Sequence, residues 1–265
     1  MIKICFFFNG KRGLNIYSYF KKKKIFKIQK IFLSKRFLNK NILSKIQKYS
    51  IINGINSEIV KKNLLTTDIA IVAGFPYIFP KALIETPKLG TINCHAGTLP
   101  KYRGGSPLNW QIINGEKKFG ITTIKMNKGI DQGQIIKEKF FPLKKSYNIN
   151  DLHNIVNKNF PKLVFESVKK LSLGNKLKKQ SVSNSYFKQR TAKDSLIKLE
   201  KFTFNEINNY VRALKKPYPE AYFIYKKKKI IIKEILRSKI IINSQKILKI
   251  KNKYYANCKD CVIKI

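Results

Sequence analysis

Apolar and polar residues alternate along most of this chain in runs whose lengths fit strands and helices. Short apolar runs typical of buried strands occur at IKICFFF, KIQKIFL, DIAIVAGF and GTINCH. Runs with helical character occur between them, at GLNIYSYF, NSEIVKKNLL and FPKALIE. This alternation predicts an α/β fold, with a Rossmann-like, mostly parallel sheet and helices on both faces.

The pattern continues through the middle of the chain. SPLNWQIING predicts a helix with Pro107 in its first turn, and FGITTIKM and GQIIKEKFF predict two further strands. From Asn150 to Leu173 the apolar residues recur at helical spacing, which predicts a long amphipathic helix. Pro161 lies inside this segment and is expected to kink or split the helix, because proline lacks the backbone N–H that a helix needs.

A change in sequence character after this helix predicts a second domain. The polar stretch KKQSVSNS marks the boundary, so we predict an α/β domain over residues 1–180 and a small, mainly β domain over residues 186–265. In the second part, FNEINNYVRAL predicts a short helix and PYPEAYFIYKKKKIIIKEIL predicts a hairpin around a lysine tip. KILKIKNKYYANCKDCVIKI predicts two or three more short strands.

The charge of the chain is strongly positive, with 56 Lys and Arg against 14 Asp and Glu and a formal net charge of +42. Such a balance is typical of proteins that bind nucleic acids, where Lys and Arg neutralise phosphates. The lysines here occur in nearly every segment rather than along one stripe. We therefore favour a biased overall composition over selection for a polyanion, and both interpretations remain open.

Two features bear on the cellular compartment and on metal binding. The apolar run Ile4–Phe8 is too short for a signal-peptide core or a membrane span, so we expect a cytoplasmic protein without membrane insertion. The four cysteines are scattered, which agrees with a reducing compartment. Cys258 and Cys261 form a single C-x-x-C without a second pair or a nearby His, so we predict a hairpin turn with two thiols and no metal site.

Candidate chemistry is concentrated around one of the two histidines of the chain. Asn93 and His95 share a face of the predicted strand GTINCH, because side chains alternate along a strand. In an α/β fold, ligands bind at the carboxyl ends of such strands. Asp131 lies in the glycine-flanked turn GIDQG after another strand. The three groups predict a polar site, although Asn and Asp are also ordinary turn residues.

A longer ordered array makes the site more specific. N-x-H with the following LPKYRG, then NWQIINGE, GIT and GIDQGQI, resembles the folate-dependent formyltransferases, which include methionyl-tRNA, glycinamide ribonucleotide and sugar N-formyltransferases. The resemblance is continuous from about Asp68 to Ile136. VRALKKPYPEAYFIY is similar to the C-terminal region of the amino-sugar members. The residues before position 60 match only as a generic Rossmann-like half.

The resemblance implies roles for individual residues. Asn93, His95 and Asp131 would be catalytic: Asn93 and His95 would hold the oxyanion that forms on the formyl group, and Asp131 would orient His95 and help to move a proton. The formyl donor would be 10-formyltetrahydrofolate, with no metal. Its pocket would be lined by Tyr77, Ile78, Phe79, Asn127, Lys128, Gly129 and Ile130. Arg103 would face either the anionic acceptor substrate or a structural carboxylate. Cys94 points to the opposite strand face and is expected in the core rather than as a nucleophile.

The acceptor amine stays open at this stage. Methionyl-tRNA formyltransferases usually carry a basic inserted loop after the second strand, and no such run occurs between Ile28 and Val60. This absence and the PYP at 217–219 favour a nucleotide-linked amino sugar, whereas the positive charge favours tRNA. Outside the enzyme class, the alternative is a basic nucleic-acid-binding protein on the same scaffold. A homodimer is compatible with either function.

Overall fold

The computed structural model describes residues 1–183, 185–240, 242 and 246–265. Position 184 of the predicted boundary stretch, and positions 241 and 243–245 of the predicted second domain, lie outside the described residues. Within the described part, no helix is both long enough and apolar enough to cross a membrane.

The elements follow the predicted alternation of strands and helices. The strands are β1 Ile2–Phe8, β2 Phe26–Ser34, β3 Tyr49–Ile52, β4 Ile69–Ala73, β5 Thr91–His95, β6 Arg103–Gly104, β7 Lys118–Lys125, β8 Gln134–Pro142, β9 Tyr186–Phe187, β10 Tyr222–Tyr225, β11 Lys228–Ile231, β12 Leu236–Arg237, β13 Ile247–Ile250, β14 Lys253–Asn257 and β15 Val262–Lys264. The α-helices are α1 Lys11–Lys21, α2 Lys40–Leu43, α3 Glu58–Leu65, α4 Lys81–Glu85, α5 Pro107–Ile113, α6 Ile149–Ser172 and α7 Phe204–Ala213. Short 3-10 turns occupy Lys35–Phe37, Ala192–Ser195 and Leu199–Lys201.

A seven-stranded sheet in the order β3-β2-β1-β4-β5-β7-β8 forms the framework of the fold. The pairs β2–β3, β1–β2, β1–β4 and β4–β5 are parallel, and β7 runs antiparallel to β5. The predicted Rossmann-like, mostly parallel α/β fold is therefore confirmed. The chain order reverses between β1 and β4, so the carboxyl ends of these two strands, with β5 beside β4, border the kind of crevice where α/β proteins bind ligands.

The chain divides into two compact units. The first consists of Met1–Gly104, Gly120–Phe141 and Asn154–Tyr186, and the second of Gly105–Phe119, Pro142–His153 and Phe187–Ile265. Each unit contains segments that are distant in the sequence. The predicted domains, residues 1–180 and 186–265, stay a prediction.

The first unit has an aromatic core beside β1. Phe7 stacks on Phe32 with ring centroids 4.8 Å apart and meets Phe79 edge to face at 5.0 Å. Helix α1 lies very close to the same strand, because a Cβ added at Gly13 would stand 2.1 Å from the Phe8 Cβ. Glycine at position 13 thus permits the close approach of helix and strand that the opening segment requires.

The second unit combines two helices with small antiparallel sheets. Helix α5 packs against α7, and the Asn109 side-chain amide donates a hydrogen bond to the Ala213 carbonyl at 2.8 Å. Strands β10 and β11 form a hairpin, with Lys226 and Lys227 at positive φ in its turn, as the lysine tip predicts. Strands β12-β15-β14-β13 form a four-stranded sheet. The predicted small β-rich module is confirmed.

The sequence predicts a kink or a split at Pro161; helix α6 is one continuous helix from Ile149 to Ser172, so the split is wrong and the kink stays a prediction. A proline in a helix interior costs about 3 kcal/mol through its missing N–H and its ring. The residues around it form a fully buried apolar stripe of Val156, Phe160, Val164 and Val168. Burial of these side chains offsets the cost of the proline.

Candidate active site

Strand β5 brings Asn93 and His95 to the end of the sheet. Asn93 pairs with Val72 of the parallel strand β4 and with Ile124 of the antiparallel strand β7, and His95 pairs with Thr122. Both side chains therefore rest on a strand that is hydrogen-bonded on two sides, which gives them a rigid support. His95 is 5% exposed, and Asn93 is half-buried.

The loop between β7 and β8 carries Asp131 and is braced by its own side chains. Asn127 Oδ1 accepts a hydrogen bond from the Gly129 N–H at 3.0 Å, which is the geometry of an Asx turn. Asp131 itself adopts a left-handed backbone conformation with φ of 54°. At Gly133 the chain passes so close to β7 that an added Cβ would stand 1.9 Å from the Lys125 carbonyl oxygen. Glycine is therefore required at this position if the loop is to keep its path.

The Asp131 carboxylate is the centre of the site. Its Oδ1 accepts a hydrogen bond from Asn93 Nδ2 at 3.0 Å. Its Oδ2 accepts from the Gly104 backbone N–H at 2.9 Å and lies 3.3 Å from His95 Nδ1. The three residues predicted to be catalytic are thus in direct contact, although they come from different parts of the chain.

The other ring nitrogen of His95 contacts a backbone carbonyl. Nε2 lies 2.6 Å from the Tyr102 carbonyl oxygen, and a carbonyl only accepts, so Nε2 carries a proton. The second ring nitrogen, Nδ1, then faces Asp131 Oδ2 at 3.3 Å. The two nitrogens face Tyr102 and Asp131, so the role of His95 in holding an oxyanion stays a prediction.

A cavity of about 180 Å³ adjoins Asn93 and Asp131. Its lining includes all seven residues predicted for the folate pocket: Tyr77, Ile78, Phe79, Asn127, Lys128, Gly129 and Ile130. Phe75, Ile84 and Ile124 contribute apolar side chains to the cavity wall. His95 and Arg103 are not among the lining residues. The Tyr77 hydroxyl oxygen is buried and, within the described part of the chain, has no hydrogen-bond partner. The two predicted segments therefore form one concave surface, and their role in binding folate stays a prediction.

Arg103 is buried, with 8% of its surface exposed, and its recorded partners are neutral oxygens. Nε and Nη2 donate to the Gln180 side-chain oxygen at 3.1 and 2.8 Å, and Nη1 donates to the Ser183 carbonyl at 2.9 Å. Its predicted role in binding the acceptor substrate stays a prediction. Sequence analysis missed Gln180, Gly104 and Tyr102, whose contacts with the site depend on the folded chain rather than on a local motif.

The cysteines agree with their predicted places. Cys94 is fully buried on β5, and desolvation raises the pKa of its thiol to about 12 although the nearby Arg12 charge acts to lower it.

Cys258 and Cys261 flank the turn between β14 and β15, where their sulfurs are 3.4 Å apart. With Asp260 they offer three possible metal-ligand atoms that lie within 4.8 Å of one another. Desolvation raises the pKa of Cys261 to about 11, which opposes the thiolate form that a metal needs. The absence of a metal stays a prediction.

Comparison with known proteins agrees with this fold and arrangement. The family model for the formyl transferase domain matches residues 35–168, and the model for its C-terminal domain matches residues 190–265. A methionyl-tRNA formyltransferase from Clostridium beijerinckii is 36% identical over 211 residues, which cover 78% of this chain and 68% of that protein. Across the first such relatives, this chain spans between 60 and 68% of their length.

Solved structures give the same fold. A 4-N formyltransferase from Francisella tularensis superposes with a TM-score of 0.75 at 22% identity and covers 87% of this chain and 96% of that one. An N-formyltransferase from Helicobacter canadensis, in complex with folinic acid and dTDP-3-aminofucose, superposes with a TM-score of 0.73 at 20% identity and covers 100% and 98%.

Fold and site together define an α/β protein with a carboxylate, imidazole and amide cluster beside an aromatic cavity at its strand ends. The match to the family model extends over the segments that carry this cluster and cavity. The chain belongs to the formyl transferase family.

Proposed function

We propose that this chain transfers a formyl group from 10-formyltetrahydrofolate to a primary amine. The observation that carries the proposal is the Asp131 carboxylate, which contacts Asn93 at 3.0 Å and His95 at 3.3 Å. Asn93 and Asp131 also line the adjoining cavity. Membership of the formyl transferase family supports the same reaction.

The cavity suits the flat, partly polar ring system of a reduced folate. Phe75, Tyr77 and Phe79 contribute aromatic surface, and the loop from Asn127 to Ile130 contributes backbone groups. The buried Tyr77 hydroxyl lacks a partner among the described residues, and a buried polar group of this kind gains from a ligand that bonds to it. The folinic acid in the Helicobacter canadensis enzyme supports a folate in this chain as well.

The three clustered side chains supply what the transfer requires. When an amine adds to the formyl carbon, negative charge grows on the formyl oxygen and the amine nitrogen must lose a proton. One N–H of the Asn93 amide bonds to Asp131, and its second N–H is available to the formyl oxygen. Asp131 accepts the amine proton and passes it to the departing folate nitrogen as the bond between that nitrogen and the formyl carbon breaks. Its carboxylate also orients His95, whose Nδ1 lies 3.3 Å away.

We propose a nucleotide-linked amino sugar as the acceptor. The segment between β2 and α3 contains only a 3-10 turn, the four-residue helix α2 and strand β3, where the tRNA enzymes usually insert a basic loop. The solved enzyme that contains dTDP-3-aminofucose matches this chain along its whole length. The PYP segment at 217–219, which is similar in sequence to the amino-sugar members, lies before the β10–β11 hairpin.

Initiator methionyl-tRNA is the second candidate acceptor, because the tRNA formyltransferase from Clostridium beijerinckii is 36% identical to this chain. The net charge of +42 favours the same polyanion. A basic nucleic-acid-binding protein on this scaffold remains the alternative outside the enzyme class. That alternative requires that formyl transfer be absent with every acceptor.

The test is a direct assay of the purified full chain with 10-formyltetrahydrofolate. Parallel reactions contain a panel of amino-sugar nucleotides or charged initiator tRNA, and formation of the N-formyl product is measured by mass spectrometry. We expect product from at least one amino-sugar nucleotide and none from tRNA. The Asp131→Asn variant serves as the control that ascribes the product to this site.

Each outcome decides between the candidates. Rapid formylation of tRNA with no sugar product would replace the sugar proposal by the tRNA proposal. If neither acceptor reacts, tight RNA binding would support the nucleic-acid-binding alternative. Product that persists in Asp131→Asn would move the chemistry away from this cluster.

A further inference from the structure

A hydrogen-bonded pair outside the cavity connects two distant segments to the loop that carries Asp131. We propose that Arg103 and Gln180 act together as positioning residues that hold Asp131 for formyl transfer. The proposal rests on the proposed function and assigns to Arg103 a role other than contact with the acceptor substrate. We call the pair the Arg103–Gln180 clamp.

The chemistry of the pair fixes the orientation of the Gln180 side chain. A guanidinium only donates hydrogen bonds, so the Gln180 atom that faces Nε and Nη2 of Arg103, at 3.1 and 2.8 Å, must be the oxygen. The amide nitrogen must then point the other way. The Ser183 carbonyl accepts from the remaining Nη1 at 2.9 Å, which anchors the guanidinium itself.

Gln180 uses its amide nitrogen to hold the loop backbone. Nε2 donates to the Asp131 carbonyl oxygen at 2.8 Å and to the Gly133 carbonyl oxygen at 2.7 Å. The amide nitrogen thus donates to the carbonyls of the two residues that flank Gln132 in the loop. Because Arg103 fixes the oxygen end, the two donors remain aimed at these carbonyls.

The clamp holds the backbone of Asp131, and a separate contact holds the Asp131 side chain. Gly104, which follows Arg103, donates its N–H to Asp131 Oδ2 at 2.9 Å. Asp131 has a left-handed φ of 54°, a conformation that is unfavourable for a residue with a side chain. The flanking side chains Ile130 and Gln132 offer little anchorage, since Ile130 is 43% exposed and Gln132 is exposed. Arg103 thus holds the backbone of Asp131 through Gln180, and Gly104 holds its carboxylate.

Two variants separate positioning from substrate binding. Gln180→Glu keeps oxygens for Arg103 but removes the donors to the loop carbonyls, and Arg103→Lys keeps the charge but loses the planar fork. In each we expect kcat to fall about 10- to 100-fold, because a small displacement of a reacting group has effects of this size. The KM for the acceptor and the affinity for 5-formyltetrahydrofolate should change less than about threefold.

A double-mutant cycle adds a readout that a merely structural role would not change. If Gln180 acts through Asp131, Gln180→Glu should lower the kcat of the wild type but leave the residual kcat of Asp131→Asn unaltered. Lys179→Ala is the matched control, because Lys179 is an exposed neighbour on the same segment. This control should retain the kinetics of the wild type in every assay.

Hydrogen exchange of residues 127–133 provides a measurement that does not depend on transfer. We expect Gln180→Glu to raise exchange there at least about tenfold, and Lys179→Ala to leave it unchanged. If the wild type forms no product but exchange rises as stated, the proposed function fails and the clamp stands as a restraint on the loop. A raised acceptor KM with unchanged kcat in Arg103→Lys would overturn the clamp in favour of substrate binding. Unchanged exchange in Gln180→Glu would overturn it as well.

Discussion

At the scale of single residues, Asp131 connects the parts of the site, because its carboxylate contacts Asn93, His95 and the Gly104 N–H. We expect His95→Ala and Asp131→Ala each to lower turnover by at least about 100-fold, the usual effect of losing acid–base or oxyanion help. Steady-state kinetics measure the loss, and far-UV circular dichroism checks that the variants fold. Turnover within about threefold of the wild type in either variant would exclude that residue from the mechanism.

The Cys94 thiol predicts a pH dependence of stability. Burial raises its pKa from the ordinary value near 9.0 to about 12, so between these values the folded chain keeps a proton that the unfolded chain releases. The free energy of unfolding should therefore fall as the pH rises from about 9 towards 12. Urea unfolding at pH 8 and pH 10, in about the same salt, measures this difference.

Cys94→Ala is the control, since other groups titrate in the same range. The variant lacks the thiol, so its unfolding free energy should decline less between the two pH values, and the gap between wild type and variant should narrow. Equal declines in the two proteins would contradict a buried, protonated Cys94.

At the scale of elements, the close contact of α1 with β1 predicts different losses of stability when Gly13 and Gly10 are replaced by alanine. A Cβ at Gly13 would lie 2.1 Å from Phe8 Cβ, and Phe8 is fully buried and cannot move away. Gly13→Ala should lower the free energy of unfolding by about 2 kcal/mol or more. Gly10→Ala is the matched control, because nothing lies within 4 Å of its added Cβ, and it should cost less than about 1 kcal/mol. Denaturant titration of both variants measures the difference, and equal losses would contradict the close packing.

Most elements of the sheet could be predicted from the sequence, since buried parallel strands have continuous apolar runs. β1 and β4 are of this kind, and both were predicted. Strand β3, Tyr49–Ile52, could not be, because it lies at the edge of the sheet and is only partly covered, so its burial pattern resembles that of a loop. The effect of Pro161 depended on the packing around α6, which a single sequence does not contain.

The residues of the candidate site were likewise only partly predictable from the sequence. Asn93 and His95 could be placed together from strand periodicity, and Asp131 from its glycine-flanked turn, while the ordered motif made the site more specific. Gln180 could not be found, because it lies in a polar stretch typical of a linker and its partners Arg103 and Asp131 are 77 and 49 residues away. A hydrogen bond across such a distance leaves no periodic signal in the sequence.

At the scale of the whole molecule, the positive charge lies on side chains that face solvent. The buried basic residues of the described chain are His95, Arg103 and Arg212, and no lysine is among them. If tRNA were the acceptor, these lysines would contact phosphates and its KM would rise steeply with salt. We expect the KM of an amino-sugar nucleotide to change less than about threefold between 50 and 200 mM salt. Kinetics at several salt concentrations measure this, and a rise of about 100-fold or more would favour a polyanionic acceptor.

Binding of the formyl donor should also be visible in the stability of the chain. A ligand that binds only the folded state raises the melting temperature by mass action. We expect 5-formyltetrahydrofolate, a stable analogue, to raise it by at least about 3 °C at 100 times its Kd. Tyr77→Phe removes the buried hydroxyl without removing the ring, so the shift should be smaller in that variant. No shift in the wild type at millimolar analogue would contradict a folate site in the cavity.

The position of Trp110 on α5 makes its fluorescence a probe of one part of the chain. Trp110 is the one tryptophan of the sequence and lies in the second unit. Its indole ring is tilted against the Phe187 ring, with centroids 5.2 Å apart, and the Arg190 guanidinium lies over it at 4.8 Å. Indole fluorescence therefore originates from that unit alone, whereas circular dichroism sums over all helices and strands. During denaturation, a red shift of the emission will mark the moment at which the second unit loses its structure. Comparing the two optical signals will then show whether the chain melts as one cooperative body or in two stages.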